Sequence, residues 1–205
     1  MRVAVVGGTG DFGLALARLL AAAGEDVVIG SRDAARAQEA AEPVGASGAT
    51  NDEAVSGADL VVLAVKADAA LATATALAPA IGMTPTLSVA SELVFSKSGC
   101  RPRESQQSLA EELAEILEGP VVAGLHSLAA STLAKGPADG DALVCGDDDD
   151  AKRLALELAG KVVTGRSLDA GPLASARALE GMTAVIVNLN RRYKGHAGLR
   201  VTGLP

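Results

Sequence analysis

The stretch RVAVVGGTGDFGLALARLLAAAGEDVVIGSRD, residues 2–33, decides the fold. Residues 2–6 are almost wholly apolar and read as a short buried strand. The glycine-rich run GGTGDFG follows directly. From there Phe12, Leu16, Leu19, Leu20 and Ala23 recur at helical spacing, and Gly24 stops the helix as a C-terminal cap. Residues 26–30 give a second apolar strand. Strand, turn, helix and strand within about 30 residues is the size of a parallel crossover unit.

Outward from this unit the alternation continues. Residues 33–42 read as a helix ended by Pro43, with a weak strand over 46–49 and a short helix from Asp52. ADLVVLAV (58–65) is the clearest strand, 67–80 an Ala-rich helix, and PTLSVA (85–90) another strand. Residues 91–104 are polar, carry Gly99 and Pro102, and read as a long loop. SQQSLAEELAEIL is amphipathic, and PVVAGLHS (120–127) is a strand running into a histidine. ALVCG (142–146) is a strand, and DDDDAKRLALELA is a helix opened by acids. KVVTG (161–165) reads as a last strand, and 174–193 as a long final helix. The expected fold class is α/β, a Rossmann-type doubly wound, mainly parallel sheet with a small C-terminal α/β extension. A loose division falls at residue 120, giving 1–120 and 121–205.

Composition narrows the function. The chain of 205 residues has a formal charge of −7, which disfavours nucleic acid as a partner. After Glu180 there is no acid, and Arg191, Arg192, Lys194 and Arg200 make a local basic end. The two cysteines form no C-x-x-C pair and the two histidines no metal-ligand pattern, so reduced thiols and no metal are expected. No apolar stretch reaches the roughly 18 residues of a membrane span. A soluble cytoplasmic protein is expected. The long apolar final helix is expected to cover itself on a sister subunit, as a homodimer.

Gly8, Gly10 and Gly13 form G-x-G-x-x-G between a strand and a helix. In that context the pattern signals a dinucleotide. The first glycine permits a tight turn, the second lets backbone approach a pyrophosphate, and the third lets helix and strand pack closely. The helix N-terminus adds free N–H groups and a positive dipole end. At the end of the second strand an NAD-binding sheet carries an acid for the ribose hydroxyls. Here Ser31 and Arg32 occupy that place. A serine hydroxyl donates to a phosphate oxygen and an arginine grips it, so the cofactor expected is NADP. Asp33 is read as a helix-opening acid turned away from the ribose.

The rest of the chain is thin in general acids and bases, with two histidines and one tyrosine. Carbonyl reduction needs a positioned proton donor, whereas hydride passage between two bound cofactors needs proximity and orientation alone. GGTGDFG, VVIGSR, GLHSLAA, VCGDDDDAK, SLDAGPL and the glycine-rich ending together resemble the coenzyme F420-dependent NADP oxidoreductase family, from residue 1 to about 203. The resemblance implies hydride transfer between NADPH and F420, a 5-deazaflavin, across a cleft between a Rossmann part and the C-terminal part. It places Thr9, Ser31 and Arg32 at the 2′-phosphate side of NADP. The backbone from Gly10 through Asp11 to Phe12 holds the pyrophosphate, and Ala64, Val65 and Lys66 lie at the nicotinamide. His126, with Gly198 and Leu199, would contact the deazaflavin. Gly8, Gly13 and Ala90 complete the expected contacts, and no residue is assigned a catalytic proton. The chain departs from the family in a polar segment, SVASELVFSKSG, and in Lys66 where a proline is usual.

Other residues have plainer readings. Asp147 to Asp150 open a helix rather than hold a metal. Asp169 forms a turn before Gly171 and Pro172. His196 is expected to be exposed. The terminal cations either decorate a helix end or attract the acidic tail of the deazaflavin. Two other readings stay open: an NADP-dependent reductase of a small imine, ketone or flavin, and a nucleotide-binding module without catalysis.

Overall fold

The computed structural model describes residues 1–204. Its first half runs β1 (Arg2–Val6), α1 (Asp11–Ala22), β2 (Asp26–Ser31), α2 (Ala34–Ala41), β3 (Ser47–Thr50), α3 (Asn51–Val55), β4 (Leu60–Leu63), α4 (Ala67–Ile81) and β5 (Thr86–Ser88). A hairpin of β6 (Leu93–Ser96) and β7 (Gly99–Pro102) follows. Then come α5 (Leu109–Ala114), β8 (Val121–Gly124), α6 (Ala130–Leu133), β9 (Ala142–Gly146), α7 (Asp149–Gly160), β10 (Ser167–Asp169) and α8 (Ala176–Tyr193).

Eight strands form one sheet in the order β10-β9-β8-β5-β4-β1-β2-β3. All pairs are parallel except β8 with β9. The sheet is therefore mainly parallel and α/β, as the alternating pattern requires. It runs unbroken across residue 120, because β5 is bonded to β8. The chain leaves β1 toward β2 on one side and returns as β4 on the other. The strand order thus reverses at β1, and a crevice opens beyond the carboxyl ends of β1 and β4.

Strand alternation explains why these strands are apolar throughout. Val3 and Val5 of β1 face one layer with Leu16, Leu20 and Leu158, while Ala4 and Val6 face another with Leu77, Leu109 and Leu113. Burial of each Val or Leu contributes about 1.5–3 kcal/mol. Gly48 of β3 shows how close the packing becomes. A Cβ there would lie 2.3 Å from the Ala37 carbonyl carbon and the Gln38 nitrogen of α2. Only glycine permits that backbone-to-backbone approach.

Two expected elements differ. Residues 91–104 are a two-stranded hairpin, not a structureless loop. It is held by Asn188 of α8, whose side-chain amide accepts from Cys100 N at 2.8 Å and donates to Cys100 O at 2.7 Å, as a strand would. KVVTG is no strand. It makes a single bridge, Val163 to Ala138, and the next true strand is β10 beside β9. The helix in SQQSLAEELAEIL begins only at Leu109, because Ser108 and Glu111 form a capping box there.

A buried carboxylate joins two helices. Glu180 of α8, 8% exposed, accepts from Leu109 N and Ala110 N of α5, each at 3.1 Å. Burial, aided by Glu92 and Glu111, outweighs those two bonds and pushes its pKa up to about 7. The folded chain therefore holds this proton more tightly than the unfolded one. The resulting stability is complete below about pH 4.5 and is lost as pH rises through 7. We expect the urea midpoint to fall between pH 5 and pH 8 by the equivalent of about 2 kcal/mol. Glu180→Gln should flatten that slope; an unchanged slope in the variant would exclude Glu180 as its source.

Candidate active site at the carboxyl edge of the sheet

A cavity of about 700 Å³ sits at the carboxyl edge where the strand order reverses. Thr9 and Gly10 reach it from the turn after β1, Ser31 and Arg32 from the end of β2, and Ala64, Val65 and Lys66 from the turn after β4. The phosphate turn has a definite division of labour. The left-handed position is Gly7, at φ 81°, one residue before the motif glycines. Gly8 is packed against Val5 O and Ile29, and Gly13 against Gly7 O and the Gly8 Cα. Gly10 faces open space, with nothing nearer to an added Cβ than Gly7 O at 3.4 Å. It is also the N-cap of α1, and no side chain caps that helix. The helical ladder begins with Leu14 N to Gly10 O, so the N–H groups of the first turn are available to an anion. This arrangement fits a pyrophosphate.

Asp33 is spent locally. Its Oδ1 accepts from Ala35 N at 2.9 Å and Arg36 N at 3.3 Å as the N-cap of α2. Ser31 Oγ takes the Asp33 amide at 3.3 Å. Six wall residues escaped the sequence reading: Gly7, Arg36, Asn51, Asp68, Ala69 and Thr73. Arg36 stands in the first turn of α2, four residues after Arg32, which precedes the helix, and Asn51 Oδ1 is buried without a partner among the described residues. The available signal was a second arginine close to Arg32 in the sequence.

A second cavity, of about 330 Å³, lies beyond the end of β8. Ser127, Thr132, Lys135 and Asp139 are among its lining residues. The C-terminal tail closes it with His196 and Gly198. His196 is exposed, as expected, yet reaches Lys135 Nζ at 3.4 Å and Ser131 Oγ at 3.5 Å. The tail is fixed by Asp141, which accepts from Val201 N, and by Arg166, which donates to Val201 O. Leu199 serves this anchoring: its carbonyl accepts from Asp141 N at 2.6 Å, and its side chain is not among the cavity walls. Arg200 pairs with Asp139 at 2.8 Å at the rim.

Several expected contacts stand off both cavities. Gly8 and Gly13 work by close packing, Phe12 packs into the core, and Ala90 packs against the opposite layer. Asp11 borders a shallow cleft between α1 and α6, shared with Ala130 and Ser131. The acid run has structural duties. Asp148 caps α7 through Ala151 N, and Asp147 accepts from Leu173 N. Asp169 takes Gly171 N at 2.8 Å and pairs with Lys152.

His126 is 5% exposed. Leu125, at φ 65°, turns the chain inward at the end of β8, an uncommon conformation for a branched side chain. Burial pushes the His126 pKa down to about 4, so the ring is neutral. Its Nδ1 lies 3.1 Å from Ser91 Oγ, and its Nε2 has no partner among the described residues.

The F420-dependent NADP reductase of Methanothermobacter marburgensis is 39% identical to this chain over 223 residues, covering 100% of both. This chain belongs to the F420-dependent NADP reductase family. That of Methanocaldococcus jannaschii is 31% identical, over 100% of this chain and 99% of its own. The family profile described as "NADP oxidoreductase coenzyme F420-dependent" matches residues 2–91. A solved structure from Arthrobacter sp. FB24 superimposes with a TM-score of 0.84 at 25% identity, over 100% of both chains. A pyrroline-5-carboxylate reductase from Coxiella burnetii shares the fold alone: TM-score 0.68, 16% identity, 94% of this chain and 66% of its own. The Methanothermobacter and Methanocaldococcus relatives both match this chain over its whole length.

Proposed function

We propose that this protein is an NADPH:F420 oxidoreductase that transfers hydride reversibly between the two cofactors. The observation that carries this reading is the pair of cavities along one carboxyl edge of the sheet. The first has an uncapped helix N-terminus and a serine–arginine end to β2; the second is closed by the chain's own tail. Both have volumes suited to organic ligands. When bound, NADPH supplies a hydride and the deazaflavin an electrophilic ring carbon.

The protein's part is binding and orientation. Gly10 admits the pyrophosphate to the first-turn N–H groups of α1, while Ser31 and Arg32, with Arg36 behind, hold the 2′-phosphate. Ala64, Val65 and Lys66 present the end of β4 to the nicotinamide half. Ser127, His126 and the tail around Gly198 hold the second ring. Residues 1–120 thus carry NADP and 121–205 complete the deazaflavin cleft. No side chain is assigned a proton-transfer role, since hydride passage between positioned rings needs none. Two free, buried cysteines fit a cytoplasmic protein, and no described helix is long and apolar enough to cross a membrane. Val185, Leu189 and Tyr193, spaced by four and exposed on α8, support a homodimer.

The test is direct. Purified protein mixed with NADPH and F420 should bleach the deazaflavin absorbance, with FMN and small imines or ketones inert. Turnover of an imine or ketone with none of F420 would replace this reading by the second one above. Binding of NADPH with no turnover of any acceptor would leave a binding module.

A further inference from the structure

Three side chains from distant parts of the chain meet beyond the carboxyl ends of β5 and β8: Ser91 after β5, His126 after β8 and Thr183 on α8. Their hydrogen bonds can be ordered by proton counting. Thr183 Oγ1 lies 2.8 Å from the His126 carbonyl, which can only accept, so the single threonine hydroxyl hydrogen is committed there. Ser91 Oγ lies 2.8 Å from Thr183 Oγ1. Thr183 has no hydrogen left, so Ser91 is the donor and its own hydrogen is spent. The third contact, Ser91 Oγ to His126 Nδ1 at 3.1 Å, then requires Nδ1–H as donor.

We infer that Thr183 and Ser91 are positioning residues that lock His126 as its Nδ1–H tautomer and leave Nε2 as a bare hydrogen-bond acceptor. Nε2 is buried with no partner among the described residues, and so is the neighbouring Ser127 Oγ. His126 and Ser127 line a narrow recess with Leu143, Leu179 and Met182, and Ser127 also lines the second cavity. An acceptor-only ring at that boundary selects a ligand edge that bears an N–H or O–H donor. The pyrimidine imide of a deazaflavin bears such a donor. This last step rests on the proposed function; the tautomer does not.

Nitrogen-15 NMR of the histidine rings tests the relay without turnover, because the chain has only two histidines. The wild-type His126 ring should show hydrogen on Nδ1 and none on Nε2. Thr183→Val keeps the side-chain shape, removes the committed hydrogen and frees Ser91 to donate to Nδ1. The ring hydrogen should then move to Nε2. Thr183→Ser should restore the original tautomer. A wild-type ring with hydrogen on Nε2, or no tautomer change in Thr183→Val, overturns the relay. In the F420 assay Thr183→Val should raise KM for the deazaflavin about tenfold, the worth of one hydrogen bond, with KM for NADPH unchanged. A tautomer that flips with no change in deazaflavin KM overturns the substrate contact and leaves the relay standing. Absence of any F420 turnover in the wild type would fault the proposed function, while the spectra still decide the relay.

Discussion

Replacement of Arg32 by alanine should raise KM for NADPH about a hundredfold while KM for NADH stays within about twofold. A charge-assisted contact to a phosphate is worth about 1.5–3 kcal/mol, and the two nucleotides differ only in that phosphate. Arg32 stands at the wall of the first cavity beside Ser31. Asp33 lines the same cavity, with its Oδ1 engaged by the amides of α2. Arg36, on the same wall, should retain part of the affinity, so the Arg32→Ala and Arg36→Ala double variant should lose more than either alone. Steady-state kinetics with both nucleotides reads the result. An equal loss for NADH would show that Arg32 grips something common to both.

Two glycines of one motif should separate folding from binding. At Gly10 an added Cβ meets nothing nearer than 3.4 Å, and the backbone, at φ −85°, suits any residue. Gly10→Ala should fold with its denaturant midpoint nearly unchanged, yet bind NADPH at least a hundredfold more weakly, since the methyl group stands where the pyrophosphate must approach. At Gly13 the same methyl would lie 2.7 Å from Gly7 O and 2.8 Å from the Gly8 Cα. Both are backbone atoms of the turn and cannot swing aside. Gly13→Ala should therefore lose stability, by about 3 kcal/mol, as well as binding. Urea unfolding and NADPH titration of the two variants measure this; equal stabilities would show that the turn relaxes more than its packing indicates.

The first crossover unit was legible because its signals are local. The strand, the glycines, the helical repeat from Phe12 and the cap at Gly24 all lie within one short stretch, and each restricts its own backbone. The serine–arginine pair could be placed at the end of β2 for the same reason. The hairpin over 91–104 was not readable. Its order comes from Asn188, 88 residues from Cys100, standing in for a strand. KVVTG failed in the opposite way. Its β-branched residues favour a strand, but Val163 makes only an isolated bridge to Ala138, and β9 takes Ser167–Asp169 instead.

By itself the sequence determined the alternation of elements, the parallel sheet and the glycine turn between β1 and α1, because hydrophobic period and glycine placement act over a few residues. The tertiary structure alone decided the second cavity, the anchoring of the tail on Asp141 and the meeting of Ser91, His126 and Thr183. Those depend on chain segments separated by 35 to 92 residues, brought together only when the two faces of the sheet bury their apolar layers. Burial then removes water from His126, and with it every competitor for the hydrogen bonds that set its tautomer.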